Sequence, residues 1–162
     1  MNIKHIVRSA VALALVAVAG TAQAQTTTQT VNFAVNAINQ IAFVGAPSLT
    51  ITTAVAGSAP TSVSNAASTW AVTTNQTGAK ITASIPLAMP AGLTLSSSLA
   101  APAGATSAGF LALGTVAVDL VTVITKLAQG SLGVTYKLDA TAAAGVVASG
   151  SRVVTYTITG GT

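Results

Sequence analysis

Residues 152–159 have the sequence RVVTYTIT, and this short stretch decides the fold of the chain. Val154, Tyr156 and Ile158 alternate with threonine and other residues, so one face of the segment is apolar and the other is largely polar. A period of two places successive side chains on opposite faces of an extended strand, whereas an amphipathic helix repeats its apolar residues every three to four positions. Threonine and valine also favour strands. The stretch therefore predicts a β-strand with one buried face.

Similar alternation and β-branched enrichment recur along the chain, separated by segments rich in Gly, Pro, Ser and Ala. Further strands are predicted at 29–36, 38–44, 48–54, 68–74, 79–85, 93–99 and 131–138. The turn sequence Asn75-Gln76-Thr77-Gly78 predicts that the strands on either side of it form a β-hairpin. Seven to nine short strands with closely spaced turns predict an all-β protein. The expected architecture is an antiparallel β-sandwich of the jelly-roll or immunoglobulin-like type.

Residues 110–125 leave two alternatives open. The segment is long enough for a helix. However, Gly114 and the β-branched Val116, Val118, Val121, Val123 and Ile124 favour one or two strands, because β-branched side chains lose conformational freedom in a helix. The sequence pattern thus favours strands in this segment without excluding the helix.

Residues 1–24 have the three parts of a secretory signal peptide. Lys4 and Arg8 form a positive start, residues 10–20 are small and apolar, and residues 22–24 (AQA) match a small-x-small cleavage pattern. A membrane anchor is the alternative, but the apolar run of about 11 residues is shorter than the roughly 20 that a transmembrane helix needs.

We therefore expect cleavage after Ala24. The mature form would have no membrane span, and residues 25–162 would form a single β-sandwich domain. Such a protein would be secreted by a bacterium and would remain extracellular or at the cell surface.

Few side chains after residue 24 can ionise. The chain contains no cysteine, and its only histidine, His5, lies in the predicted leader. The charged residues after the leader are Lys80, Asp119, Lys126, Lys137, Asp139 and Arg152. Acid–base and nucleophilic catalysis need positioned titratable groups, and metal sites need clustered His, Cys, Asp or Glu. The sequence therefore predicts no catalytic residue, no metal site and no cofactor.

Four basic residues against two acidic ones give a net charge of +2 after the leader. They form no cluster, so the phosphate contacts of a nucleic-acid-binding protein are not expected. A typical domain is about 25% charged, far more than this chain. Either neighbouring copies cover much of the surface, or its Thr, Ser, Asn and Gln residues keep it soluble. Asp119 is expected to be a satisfied buried or edge carboxylate, and Asp139 is expected to cap a turn.

Four aromatic residues fall on the apolar sides of their predicted strands: Phe33, Trp70, Tyr136 and Tyr156. This placement favours the core over an exposed platform that stacks on sugars.

Residues 25–36 (QTTTQTVNFAVN) contain neither Pro nor Gly and begin at the predicted mature N-terminus. Such a segment could add a strand to the sheet of another subunit, with Val31, Phe33 and Val35 as the side chains that enter its pockets. The alternative is a first strand within its own domain. Exchange between identical subunits, head to tail, would build a filament.

The short leader, the Thr-, Ala- and Gly-rich strands, the lack of cysteine and the closing SRVVTYTITGGT resemble small exported bacterial β-sandwich surface proteins. Matrix-fibre subunits of the TasA and camelysin kind and WxL-type surface domains share this character. The WxL tripeptide itself is absent, because Ala71-Val72 follow Trp70. The resemblance implies an extracellular jelly-roll or immunoglobulin-like fold and a role in fibres, biofilm matrix or the cell surface.

These observations predict a non-enzymatic structural subunit of an extracellular filament, matrix fibre or cell-surface layer. Assembly by donor-strand exchange into a homopolymer is the expected form of self-association. The alternative is a secreted carbohydrate- or protein-binding β-sandwich module, for which a polysaccharide would be a candidate partner.

Overall fold

The computed structural model describes residues 23–161, so the predicted signal peptide lies almost entirely outside the described residues. The chain divides into two units, with the boundary between Ala34 and Val35. Residues 23–34 of the first unit form neither helix nor strand and are exposed. Among the residues described, no helix has the length and apolar character needed to cross a membrane.

The regular structure of the second unit consists of nine strands and one turn of 3₁₀ helix at Ala142–Ala144. The strands are β1 (Asn39–Val44), β2 (Val63–Thr74), β3 (Ala79–Ser84), β4 (Leu93–Leu99), β5 (Thr106–Ser107), β6 (Leu111–Ala112), β7 (Val118–Ile124), β8 (Leu127–Ala140) and β9 (Thr155–Thr159). All strand pairs are antiparallel. The predicted all-β, antiparallel sandwich-like fold is confirmed, and nine strands is the upper end of the predicted range.

The strands form two sheets, ordered β1-β2-β8-β4-β6 and β5-β7-β3-β9. Because β2 and β3 belong to different sheets, the predicted hairpin is wrong. The turn after β2 crosses between the sheets, and the turn from β7 to β8 crosses beside it, with the Lys126 N–H donating to the Gln76 carbonyl at 2.9 Å. An alternating sequence is compatible with a hairpin within one sheet and with a connection between two sheets. The connection between sheets places the two apolar faces opposite each other, so that both are buried.

The core lies between the sheets and contains the inward side chains of most strands. Trp70 is 1% exposed, and its indole N–H donates to the Ala100 carbonyl at 3.2 Å. The core prediction is confirmed for Trp70 and Tyr136, whereas Tyr156 is half-buried and packs against the core. It is wrong for Phe33, which is 93% exposed.

Residues 110–125 contain β6 and β7, so the helix alternative is wrong and the favoured prediction of one or two strands is confirmed. The pattern within β7 departs from strict alternation, because Leu120 and Val121 are adjacent and both fully buried. The register of β7 against β3 shifts at this point, and Val123 has a φ of 61°. An irregularity in the ladder thus lets two consecutive residues face the core.

Two predicted strands do not form among the described residues. Residues 29–36 have no strand pairing, and residues 48–54 contribute only the isolated bridge between Ala54 and Pro60. Leu49 is nevertheless half-buried and packs against the core. Its segment alternates as a strand does, but it finds no neighbouring strand to complete a ladder.

Candidate functional site

The sandwich is less completely packed along one flank than in its centre. There β1 and β9 are the outer strands of their sheets, and within residues 23–161 each pairs with one neighbour only. Their inward side chains, including Ile41, Phe43 and Ile158, are only half-buried. By contrast, Ile81 of the interior strand β3 is 0% exposed. We call this flank, formed by β1, β9 and their half-buried inward side chains, the seam.

One end of the seam widens into an open groove of about 950 Å³, a size that suits a ligand or a peptide segment. Its floor is formed by Phe43, Leu95, Tyr136 and Tyr156. Its rims are formed by residues 47–54, by residues 89–90 and by residues 144–154. Floor and rims all belong to the second unit of the chain.

The floor of the groove is aromatic and uncharged. The rings of Phe43 and Tyr156 stack with centroids 3.9 Å apart, and the Tyr156 hydroxyl donates to the Tyr136 hydroxyl at 2.8 Å. The Tyr156 oxygen also lies 3.1 Å from Ser97 Oγ. Burial raises the pKa of Tyr156 above its ordinary value, so this phenol stays protonated at physiological pH. Because its polar atoms are satisfied within the protein, the floor favours an apolar occupant.

Hydrogen bonds join the segments 88–92 and 141–152, which flank the groove. Arg152 Nε and Nη2 donate to the Ala88 carbonyl at 3.2 and 3.0 Å, and Nη1 donates to the Ser151 carbonyl at 2.8 Å. The Thr141 N–H donates to the Gly92 carbonyl at 2.8 Å. Sequence reasoning gave Arg152 no role, because a lone arginine beside a loop carries no signal of what it binds.

The acidic residues form two separate ion pairs. Asp119 lies 3.0 Å from Lys80 on one sheet, and Asp139 lies 3.0 Å from Lys137 on the other. The Ser62 hydroxyl donates to Asp139, and this hydrogen bond, followed by the effect of Lys137, holds the pKa of that carboxyl below its usual value.

These placements settle the expectations for both acids. Asp119 is satisfied by Lys80, as expected, but it is neither buried nor on an edge strand, because it is exposed and β7 lies inside its sheet. The expectation of a turn cap is wrong for Asp139, because β8 continues through it. Residues 23–161 bring no three His, Cys, Asp or Glu side chains together.

The three side chains that the sequence singled out as an interface are strongly exposed. Val31 is 73% exposed, Phe33 93% and Val35 80%. They occupy every second position of a segment without strand pairing. The sequence thus drew attention to these side chains but did not predict the groove. The nearest indication of the groove in the sequence is the segment in which Leu49 and Ile51 alternate with threonine without forming a strand.

No protein-family model, curated protein or solved structure matches this chain significantly. The features that bear on function are therefore the groove, the seam and the exposed apolar segment.

Proposed function

We propose that this protein is a structural subunit of an extracellular filament, matrix fibre or cell-surface layer, and that its copies join by donor-strand exchange. The observation that carries the proposal is the open apolar groove at the end of a half-buried seam. An exposed segment with apolar side chains at every second position is the complementary part.

The strand β9 lacks the features that usually protect an exposed edge. Native edges are commonly shielded by charged side chains, prolines or bulges, because unpaired backbone groups invite another strand. Residues 155–159 (TYTIT) contain neither a charge nor a proline, and their pairing with β3 runs in unbroken register from Thr155 to Thr159. These properties support strand addition at β9.

Burial of the exposed segment would supply the driving force. Each large apolar side chain that moves from water into a protein interior contributes about 1.5–3 kcal/mol. Val31, Phe33 and Val35 together offer several times that amount, against the cost of ordering the segment and joining two molecules. Burying all three in one strand is therefore a reasonable basis for stable association.

Weak charge repulsion also supports close packing of many copies. Two of the four basic residues after the leader are neutralised in ion pairs, by Asp119 and Asp139. Copies of a nearly neutral protein repel each other little. Export through the predicted leader would place the polymer outside the cell.

The test uses the chain that begins at Gln25, the expected product of leader removal. We expect this protein to form filaments in negative-stain electron microscopy and to sediment as a polymer. Phe33→Asp places a charge in the proposed contact and should leave a folded monomer, as judged by circular dichroism. Val116→Asp is the matched control, because Val116 is 78% exposed and lies outside both the groove and the segment; it should still polymerise.

Two results would contradict the proposal. If the unsubstituted protein stays monomeric at high concentration, the structural role is wrong. If Phe33→Asp polymerises as the unsubstituted protein does, assembly does not use this segment.

The aromatic floor of the groove favours a second candidate, a secreted carbohydrate- or protein-binding module. Sugars stack on exposed ring faces, and Phe43 and Tyr156 are only half-buried. However, these two rings stack on each other, which occupies one face of each. Titration of soluble glycans against the intrinsic tyrosine and tryptophan fluorescence tests this alternative, and a saturable change would support it.

A further inference from the structure

We infer that the groove of one copy is the acceptor for residues 29–36 of a second copy, and that Phe33 of the second copy enters the aromatic floor. The subunits therefore join head to tail. The inference rests on the proposed function and specifies the contact through which assembly occurs.

The spacing of the apolar residues matches on the two sides. Val31, Phe33 and Val35 recur every second residue, as do Val154, just before β9, and Tyr156 and Ile158 within it. A strand added beside β9 would direct one face toward the core, with side chains about 7 Å apart along the strand. When the two sets of three are aligned, Phe33 lies beside Tyr156, which forms part of the floor. The largest side chain of the segment thus meets the widest part of the seam.

The chemistry of the floor suits this occupant. Its hydroxyls are satisfied by one another and by Ser97, so an incoming ligand is offered apolar surface rather than hydrogen-bonding groups. The ring of Phe33 requires no hydrogen bond. Because Phe33 is 93% exposed, covering it would remove nearly all of its apolar surface from water. The backbone of the added strand would instead bond to the free edge of β9.

To fill its own groove, the chain would have to fold back along β1 between Asn36 and Phe33. Asn36 is anchored, because its carbonyl accepts from Asn75 Nδ2 at 2.8 Å, next to the start of β1. Phe43, at the near side of the groove, lies about 14 Å farther along β1 than Asn39. Phe33 is only three residues from Asn36, which limits their Cα separation to about 11 Å. The segment of a second copy needs no such reversal, and it is the occupant that we assign.

The anchor and the groove lie at opposite ends of the seam. Gly160, just after β9, lies against the side chain of Asn39 near the anchor. Tyr156, near the start of β9, lies in the groove. Each copy thus carries a segment that enters the sandwich at one end and an acceptor at the other. Such a contact joins two different surfaces, so it repeats along a filament unless the rotation between copies closes a ring.

Cysteine cross-linking tests this contact, since the natural chain has no cysteine to interfere. Val154→Cys serves as the acceptor variant, and Val31→Cys and Val35→Cys serve as donors that keep Phe33. Equal amounts of one donor and the acceptor are mixed before assembly and then mildly oxidised. A strand added parallel to β9 brings residue 31 beside residue 154, whereas an antiparallel strand brings residue 35 there. We therefore expect one donor, and not the other, to give covalent dimers.

Controls and outcomes separate this inference from the proposed function. Val116→Cys, mixed with either donor, should give only background dimers. Filaments without a cross-link between either donor and Val154→Cys would overturn the inference and leave the structural role in place. Absence of filaments from the unsubstituted protein would overturn both.

Hydrogen exchange of the unsubstituted protein gives a second readout that does not depend on the variants. On assembly, amides of residues 29–36 and of β9 should lose most of their exchange, while those of the opposite edges, β5 and β6, should change little. Protection of β5 or β6 with β9 unchanged would show that copies join elsewhere.

Discussion

At the scale of single residues, the rim of the groove depends on a glycine. Gly92 has a φ of 79°, and a Cβ at this position would lie 2.8 Å from both the Cα of Ala144 and the hydroxyl of Thr141. Its carbonyl accepts the Thr141 N–H. The turn after Pro90 and the 3₁₀ turn at Ala142–Ala144 can therefore meet only when residue 92 has no side chain.

Gly92→Ala should lower the free energy of unfolding by about 2–5 kcal/mol, because the left-handed backbone and the clash with neighbouring backbone both disfavour alanine. Gly57→Ala is the matched control. Gly57 has a similar φ of 83° with no atom within 4 Å of the added Cβ, so only the backbone cost of about 1–2 kcal/mol applies. Urea denaturation measures both losses, and equal values would show that the contact with Ala144 does not matter.

At the scale of elements, alternation identified most strands but not their partners. The predicted strand at 93–99 coincides with β4, and 38–44 contains β1. The turn after Thr74 was predicted to close a hairpin. The periodicity of a sequence indicates which residues share a face of a strand, but not which sheet the strand joins. Strand ends were also missed, since β2 and β8 extend through residues that looked like loop or turn. Their length comes from pairing with each other across the first sheet.

The irregularity in β7 gives a prediction at this scale. Val123 has a φ of 61°, a conformation that disfavours β-branched residues but that asparagine tolerates. Its side chain is 57% exposed, so little buried apolar surface would be lost. Val123→Asn should therefore raise the free energy of unfolding by about 1 kcal/mol.

Val116→Asn provides the comparison, because Val116 is also exposed but is not in the left-handed region. It should change stability by less than about 0.5 kcal/mol. Thermal or urea unfolding of the two variants distinguishes the cases. A loss of stability in Val123→Asn would mean that strand propensity outweighs the backbone cost at this position.

At the scale of the whole molecule, composition and periodicity together were enough to predict the fold class. They also led to the prediction that Val31, Phe33 and Val35 form an interface, because apolar alternation in a segment without turns is visible in sequence alone. The groove was not predictable, because Phe43, Leu95, Tyr136 and Tyr156 come from four strands that only the pairing order brings together. Sequence reasoning could also not show that residues 48–54 would remain unpaired.

The scarcity of charge leads to a prediction about assembly conditions. The proposed contact is apolar, and within the described chain Lys80 and Lys137 already have acidic partners. Polymer yield should therefore change little from low salt to about 1 M salt, where electrostatic screening acts within about 3 Å. Cooling should weaken assembly, because apolar association loses strength at low temperature. Light scattering measures both effects, and a steep loss of polymer with added salt would point to an ionic contact instead.

The order of strands also governs when the protein can fold. The strand β9 pairs with β3, more than 70 residues earlier in the chain, and β8 joins β2 across a similarly long stretch. Pairings between such distant segments form slowly, because a large loop must close before any contact stabilises it. A ribosome delivers Thr155–Thr159 after the other described strands, so the second sheet stays incomplete until β9 has been made. Until then, the apolar face of that sheet remains partly uncovered in the growing chain.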